Sequence, residues 1–126
     1  MILVDTSVWI RMLGGKPGYD MREEGLPLLA TCAPVIQEIV QGLRPGAESE
    51  KFRRAFLAIP VLSDPLPLST FLAAADIFRQ GRRKGYTIRS SMDCLVAAIA
   101  LEHKVPVWNR ARDFAAIASF TALETV

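Results

Sequence analysis

Cysteine is scarce in this chain and histidine scarcer: Cys32, Cys94 and His103 are the full complement. That leaves no Cys/His framework for zinc, so any metal here needs oxygen ligands. Each cysteine sits inside an apolar run, which reads as a buried thiol and suits a reducing cytosol. No apolar stretch reaches the ~18 residues that a membrane span needs. The opening, Met1-Ile2-Leu3-Val4-Asp5, puts an acid after three apolar side chains and has no basic flank, unlike a secretory signal. A cytoplasmic protein that starts at Met1 is the expectation. There is no Gly-x-x-x-x-Gly-Lys-Ser/Thr phosphate loop, and no Ser-His-Asp or Cys-His arrangement suggests nucleophilic catalysis. Repeats, low-complexity tracts and linkers are also missing, so the 126 residues read as one domain, 1–126.

What is present is a globular composition, 51% hydrophobic and 22% charged, sufficient for a core without disulfides. Ile2-Leu3-Val4 is a short apolar run ending at Asp5 and predicts a buried parallel strand. Thr6-Ser7 open a helix through about Leu13, and Gly14 to Gly18 is a loop. Leu26 to Thr31 is a second candidate strand, with Pro27 near its start. Pro34 suits the first turn of a helix that runs to Leu43. Ala47 to Ala58 is the next helix, and Val61-Leu62 a further candidate strand. Ser69 to Lys84 is a long helix, capped by Ser69 and ended by Gly85. Ser90 caps another that runs to about His103. Val105 to Trp108 is a strand, Asp113 to Ala118 a short helix, and Phe120 to Val126 a possible last strand. Alternating strands and helices predict an α/β domain, with a central parallel sheet flanked by helices on both sides. Such sheets bind ligands beyond the carboxyl ends of their strands, which is where Asp5 and the segment Asn109–Asp113 fall.

Four acids stand out. Asp93 interrupts a helix that is otherwise apolar from Met92 to Leu101, and shares its stripe with Ala97, Ala100 and Lys104. A helix apolar all round is buried, and a lone buried carboxylate is expensive unless it is paired or binds metal. Its structural alternative is the third position of a capping box after Ser90. Asp5 could cap the helix that follows it, although Thr6 and Ser7 could do so equally well. Glu38 sits at the edge of the arc formed by Val35, Ile36, Ile39, Val40 and Leu43. Asp113 could cap its own short helix. Carboxylates gathered at one spot repel one another without a counter-charge, and Mg²⁺ or Mn²⁺ with oxygen ligands supplies one. Such a site activates water against a phosphoryl group. His103 lies on a different face from Asp93 and reads as a helix C-terminal charge.

The net charge is +2; with these four acids neutralised, 15 basic residues face 9 acidic ones, a balance of +6 that mildly favours a polyanionic partner. Arg79, Arg82, Arg83, Lys84 and Arg89 lead into the Asp93 helix and are candidates for contacts to such a partner's phosphates, against the alternative of a solvated helix face. Arg44, Lys51, Arg53 and Arg54 form a second group. Trp9 and Met12 on the first helix belong either to the core or to a dimer or partner interface, with the core favoured.

The chain resembles the VapC toxins, the PIN-domain ribonucleases of VapBC toxin–antitoxin pairs. Four segments carry the likeness in order: Asp5-Thr6-Ser7-Val8-Trp9, Val35 to Gly42 around Glu38, Ser91-Met92-Asp93-Cys94-Leu95-Val96-Ala97-Ala98, and Asn109 to Phe114. The resemblance implies Mg²⁺-dependent RNA cleavage, with Mn²⁺ as the other candidate ion, a homodimer, and inhibition by a VapB-type antitoxin. It implies Asp5, Glu38 and Asp93 as metal ligands, direct or through water, with Asp113 as the fourth acid. Ser7, Thr6 and Asn109 are implied as supporting polar positions. One departure stands out: the terminal motif commonly carries an acid where this chain has Ala111. That substitution supports an alternative, a catalytically weak domain that still binds metal, RNA or antitoxin. A structure-specific DNA nuclease on a similar fold is a further alternative, for which a chain this short has little room.

Overall fold

The computed structural model describes residues 1–14 and 28–126. β1 (Ile2–Val4) is the middle strand of a three-stranded parallel sheet, and Leu3 and Val4 are fully buried there. β2 (Leu29–Ala30) pairs on one side, Ile2 opposite Leu29 and Leu3 opposite Ala30. β3 (Val107–Trp108) pairs on the other, Leu3 opposite Val107 and Val4 opposite Trp108. With β1 between its two successors, the chain reverses direction across the sheet at β1, and a crevice opens at the carboxyl ends of the strands. The expected strands at Val61-Leu62 and in the tail are only single bridges, Thr31 to Val61 and Val107 to Thr125, which widen the sheet at both edges. Of the expected strand Leu26 to Thr31, only Leu29–Ala30 is strand, and its first two residues lie outside the described ones, as does the loop beyond Gly14.

The helices among the described residues follow the apolar spacing closely. They are α1 (Thr6–Leu13), α2 (Ala33–Gln41), α3 (Ala47–Leu57), α4 (Leu68–Arg83), α5 (Ser91–His103) and α6 (Arg112–Phe120). Pro34 lies in the first turn of α2, where its missing N–H leaves no helical bond unmade. α4 starts one residue before Ser69, and its N-cap is Pro67, with no side-chain cap bond. At its other end Gly85 takes φ 84°, the Gly85 N–H reaches Arg82 O (3.1 Å), and Tyr86 N–H reaches Gly81 O (2.9 Å). This Schellman closure needs the left-handed residue that glycine supplies. It turns the chain back so that α5 packs antiparallel on α4, with Thr70 near one end of the pair donating to Glu102 (2.8 Å). Gly81 gives the connection to α5 room to pack: a Cβ there would stand 2.6 Å from Ile88 Cδ1, the end of a side chain that would have to shift.

α5 is the central helix. Cys94, Val96, Ala97, Ala98, Ile99 and Ala100 are buried in the core, as its apolar sequence predicts. Trp9 takes the core alternative. Rather than facing a partner it is fully buried, its indole N–H donates to Val4 O (3.0 Å), and its ring meets Phe56 edge-on at 5.0 Å. Met12 is partly buried against the same core; the apolar residues that α1 exposes are Ile10 and Leu13. An apolar side chain on a short helix faces whatever neighbour the topology brings, and here α3 covers Trp9.

Candidate active site

Asp5 leaves β1 at the carboxyl edge of the sheet, only 4% exposed, and is the N-cap of α1. Its Oδ2 accepts from Ser7 Oγ (2.6 Å) and from Ser7 N–H (3.3 Å). Ser7 Oγ in turn accepts from Arg110 N–H (3.1 Å), which ties the end of β1 to the loop after β3. Glu38 comes up from α2, half-buried, and its Oε1 accepts from Thr6 Oγ1 (2.9 Å). Neighbouring hydroxyls at positions 6 and 7 thus hold one acid each.

Asp93 stands in the first turn of α5, half-buried. Ser90 Oγ accepts the Asp93 N–H (3.3 Å), the cap expected from sequence. Asp113 is buried, 8% exposed, but does not cap its own helix. Its Oδ2 accepts from Arg89 N–H (3.0 Å) and Ser90 N–H (2.9 Å) at the start of α5. The N-cap of α6 is Ala111, which makes no side-chain cap bond. Asn109 closes the intervening turn, its Oδ1 accepting from Ala111 N–H (3.2 Å).

The electrostatics show that the four acids share one environment. Burial first, then the charges of Asp5, Asp113 and Glu38 and a hydrogen bond with Asp113, together push the Asp93 carboxyl up to about 7. Burial raises the Cys94 thiol to about 11, helped by Asp93 and Asp113. Cys32 is raised to about 12, chiefly by burial, with a backbone bond at Val35 opposing and Asp5 and Glu38 adding. Each cysteine therefore flanks one acid pair, and Asp93 senses the other three acids.

Among the described residues, no three Asp, Glu, His or Cys side chains converge tightly enough to form a ready metal cage. Without a cation the carboxylates repel one another, and three of them rest on internal donors. The donor set is nonetheless all hard oxygen, backed by Thr and Ser hydroxyls. It suits an ion such as Mg²⁺, which keeps several waters and takes only one or two carboxylates directly.

Arg79, Arg82, Arg83 and Lys84 are exposed on the last turn of α4 or at its cap, at the end of the α4–α5 pair where Asp93 stands, and exposed Arg89 has its backbone N–H on Asp113. Arg79 makes a long 3.7 Å pair with Asp76, and Arg82 lies 5.1 Å over the Phe78 ring. Arg44, Lys51, Arg53 and Arg54 are exposed on or near α3, away from the acids in sequence, with Arg53 3.8 Å from Glu50. Among the cations unremarked in the sequence, Arg110 is exposed on the loop after β3, its amide on Ser7, and Arg112 is exposed at the start of α6. Their signal was their place either side of Ala111.

Against known proteins, the PIN-domain family model matches residues 2–119. The VapC ribonuclease Mb1587 of Mycobacterium bovis is 35% identical over 130 residues, covering 98% of this chain and 96% of its own. Ribonuclease VapC11 of Mycobacterium tuberculosis shows the same identity and coverage. Among solved structures, a toxin–antitoxin complex from Klebsiella pneumoniae superposes with a TM-score of 0.76 at 18% identity, over 98% of this chain and 99% of that one.

Proposed function

We propose, because the chain belongs to the PIN-domain family and within it to the VapC ribonucleases, that it is the toxin of a type II toxin–antitoxin pair, an endoribonuclease that hydrolyses RNA phosphodiester bonds with a divalent cation. The observation that carries this reading is Asp93, a half-buried carboxyl raised to about 7 with three other acids contributing. That is the environment a cation relieves.

In this reading Asp5, Glu38 and Asp93 hold Mg²⁺ or Mn²⁺, directly or through water, and Asp113 adds its charge to the same pocket. When bound, the cation supplies an acidified water and positive charge against the phosphoryl oxygens. Ser7 fixes the Asp5 carboxylate, and Thr6 fixes that of Glu38, so neither needs to reorganise as charge develops. With its carboxyl at about 7, Asp93 is partly protonated at neutral pH in the metal-free protein, and a bound cation would favour the ionised form. Arg79, Arg82, Arg83, Lys84 and Arg89 bind RNA phosphates beside the acids.

A VapB-type antitoxin and a second copy of the chain are the proposed protein partners. Exposed Leu68, Phe71 and Leu72 on α4, and an apolar groove of about 500 Å³ between α4 and α5 that includes Phe78, Met92 and Leu95, support a covered surface. No described helix is long and apolar enough to cross a membrane, in keeping with the proposed cytoplasmic location. A second reading, binding without turnover, rests on Ala111.

The test is cleavage of matched RNA and DNA hairpins with Mg²⁺ or Mn²⁺ by the wild-type chain and by Asp5→Ala and Asp93→Ala. Cation-dependent RNA cleavage, lowered at least about a hundredfold in both variants, is the expected result. Equal activity in all three proteins would remove the acids from the reaction, and binding without cleavage in the wild type would favour the second reading.

A further inference from the structure

On the nuclease reading just given, we infer that Asp113 is a positioning residue: it clamps the first turn of α5 and so sets where Asp93 stands, rather than serving as one of the metal ligands. The first amides of a helix need acceptors from outside it. In a capping box the residue three places after the N-cap reaches back to the N-cap's own N–H. In α5 the N-cap is Ser90 and that third residue is Asp93. Yet the Ser90 N–H is taken by Asp113 Oδ2 at 2.9 Å, and the Arg89 N–H by the same oxygen at 3.0 Å. An acid on α6 thus does the work that would otherwise engage Asp93, whose carboxyl is spared the cap, feels the charges of Asp5 and Glu38, and shares a hydrogen bond with Asp113.

Two amide donors fill the lone pairs of Asp113 Oδ2, so an ion could meet only the other oxygen, and the Asp113 carboxyl is already engaged in a hydrogen bond with that of Asp93. An ion taking Oδ2 would strip both N–H groups of their acceptor. The segment carrying Asp113 is anchored at its other end as well, where Arg110 N–H donates to Ser7 Oγ and Ser7 Oγ donates to Asp5. Residues 110–113 therefore link the Asp5 end of the pocket to the Asp93 end by a run of short hydrogen bonds. The clamp needs an oxygen acceptor at position 113 and not a charge. An asparagine carbonyl can accept both amides, while its NH₂ can donate to the neighbouring Asp93 carboxylate.

The experiment compares the full-length wild type with Asp113→Asn, Asp113→Ala and Asp93→Asn. Three quantities are read: hydrogen exchange at the Arg89 and Ser90 amides, Mn²⁺ affinity by calorimetry, and RNA cleavage. In Asp113→Ala both amides lose protection, and Mn²⁺ affinity and cleavage fall about 10- to 100-fold, as when a group that orients a ligand is removed. Asp113→Asn restores the protection, recovers at least about tenfold of the lost cleavage and binds Mn²⁺ within about threefold of wild type. Asp93→Asn loses Mn²⁺ binding with both amides still protected. Asp113→Asn losing Mn²⁺ as heavily as Asp93→Asn would make Asp113 a ligand and overturn the inference, as would unprotected amides in the wild type. Should the alanine variant fail to fold, Asp113→Asn against Asp93→Asn decides the matter alone. A wild-type chain that never cleaves RNA would sink the nuclease reading only, because amide exchange and Mn²⁺ affinity still judge the clamp.

Discussion

Asp93 bears more electrostatic load than the other acids, and its consequence is a pH dependence of unusual sign for an aspartate. Its carboxyl titrates near 7 in the folded chain against 3.8 ordinarily. Between those values the folded state binds more protons than the unfolded one, so stability falls as pH rises from about 4 to about 7 and is regained on acidification. Part of the group meets solvent, and screening reduces the effect to about 1–2 kcal/mol. The metal-free protein should therefore melt higher at pH 5.5 than at pH 7.5, with Asp93→Asn raising stability at pH 7.5 and flattening the profile. The same profile in Asp93→Asn would assign it to another group. Asp93 was legible in the sequence because it is the one acid in the apolar run Met92 to Leu101. The use of Asp113 was not legible, because its donors, Arg89 and Ser90, lie 24 and 23 residues back. Trp9 stayed open between core and interface because bulk and apolarity alone do not distinguish the two.

At the scale of elements, the helices were the legible part, since each buries a stripe whose spacing is written in the chain. Ser90 and Gly85 marked two of their ends by local chemistry alone. The sheet was less legible: β2 and β3 have two residues each, and the flanking strands shrink to single bridges. Pairing that short is set by neighbours and not by a period-two pattern. α6 shows an opening that the sequence left, with Ala111 as an N-cap that makes no side-chain bond. Ala111→Ser and Ala111→Asp should each stabilise the protein by about 0.5–2 kcal/mol through capping. Only the aspartate should also tighten Mn²⁺ binding, because it adds a carboxylate beside Asn109 and Asp113. Thermal unfolding with Mn²⁺ titration checks both points; no stabilisation by either variant would contradict the cap geometry. A gain in Mn²⁺ affinity with serine as large as with aspartate would show that loop order matters there rather than charge.

Over the whole molecule, parallel topology does the collecting. Asp5 follows β1, Glu38 rides the helix after β2, and Asp113 follows β3, so segments distant in sequence meet at one sheet edge. Alternating strands and helices made that edge predictable, while the strand order that puts β1 in the centre is visible only in three dimensions. Around the acids the chain is basic, and α4 delivers its cations at the end of the hairpin where Asp93 lies. Arg82→Ala with Arg83→Ala should weaken RNA binding and reduce the slope of log affinity against log salt by roughly 1 to 1.5, as expected for two lost phosphate contacts on a single strand. An unchanged slope would place the RNA elsewhere. Most direct of all is a crystal soaked in Mn²⁺ and read by anomalous scattering. A peak within about 2.0–2.3 Å of an Asp5 or Asp93 carboxylate oxygen, with Glu38 no further than one water away, is the predicted result. A well-occupied ion bound elsewhere, with Asp5 still resting on Ser7 and Glu38 on Thr6, would contradict it.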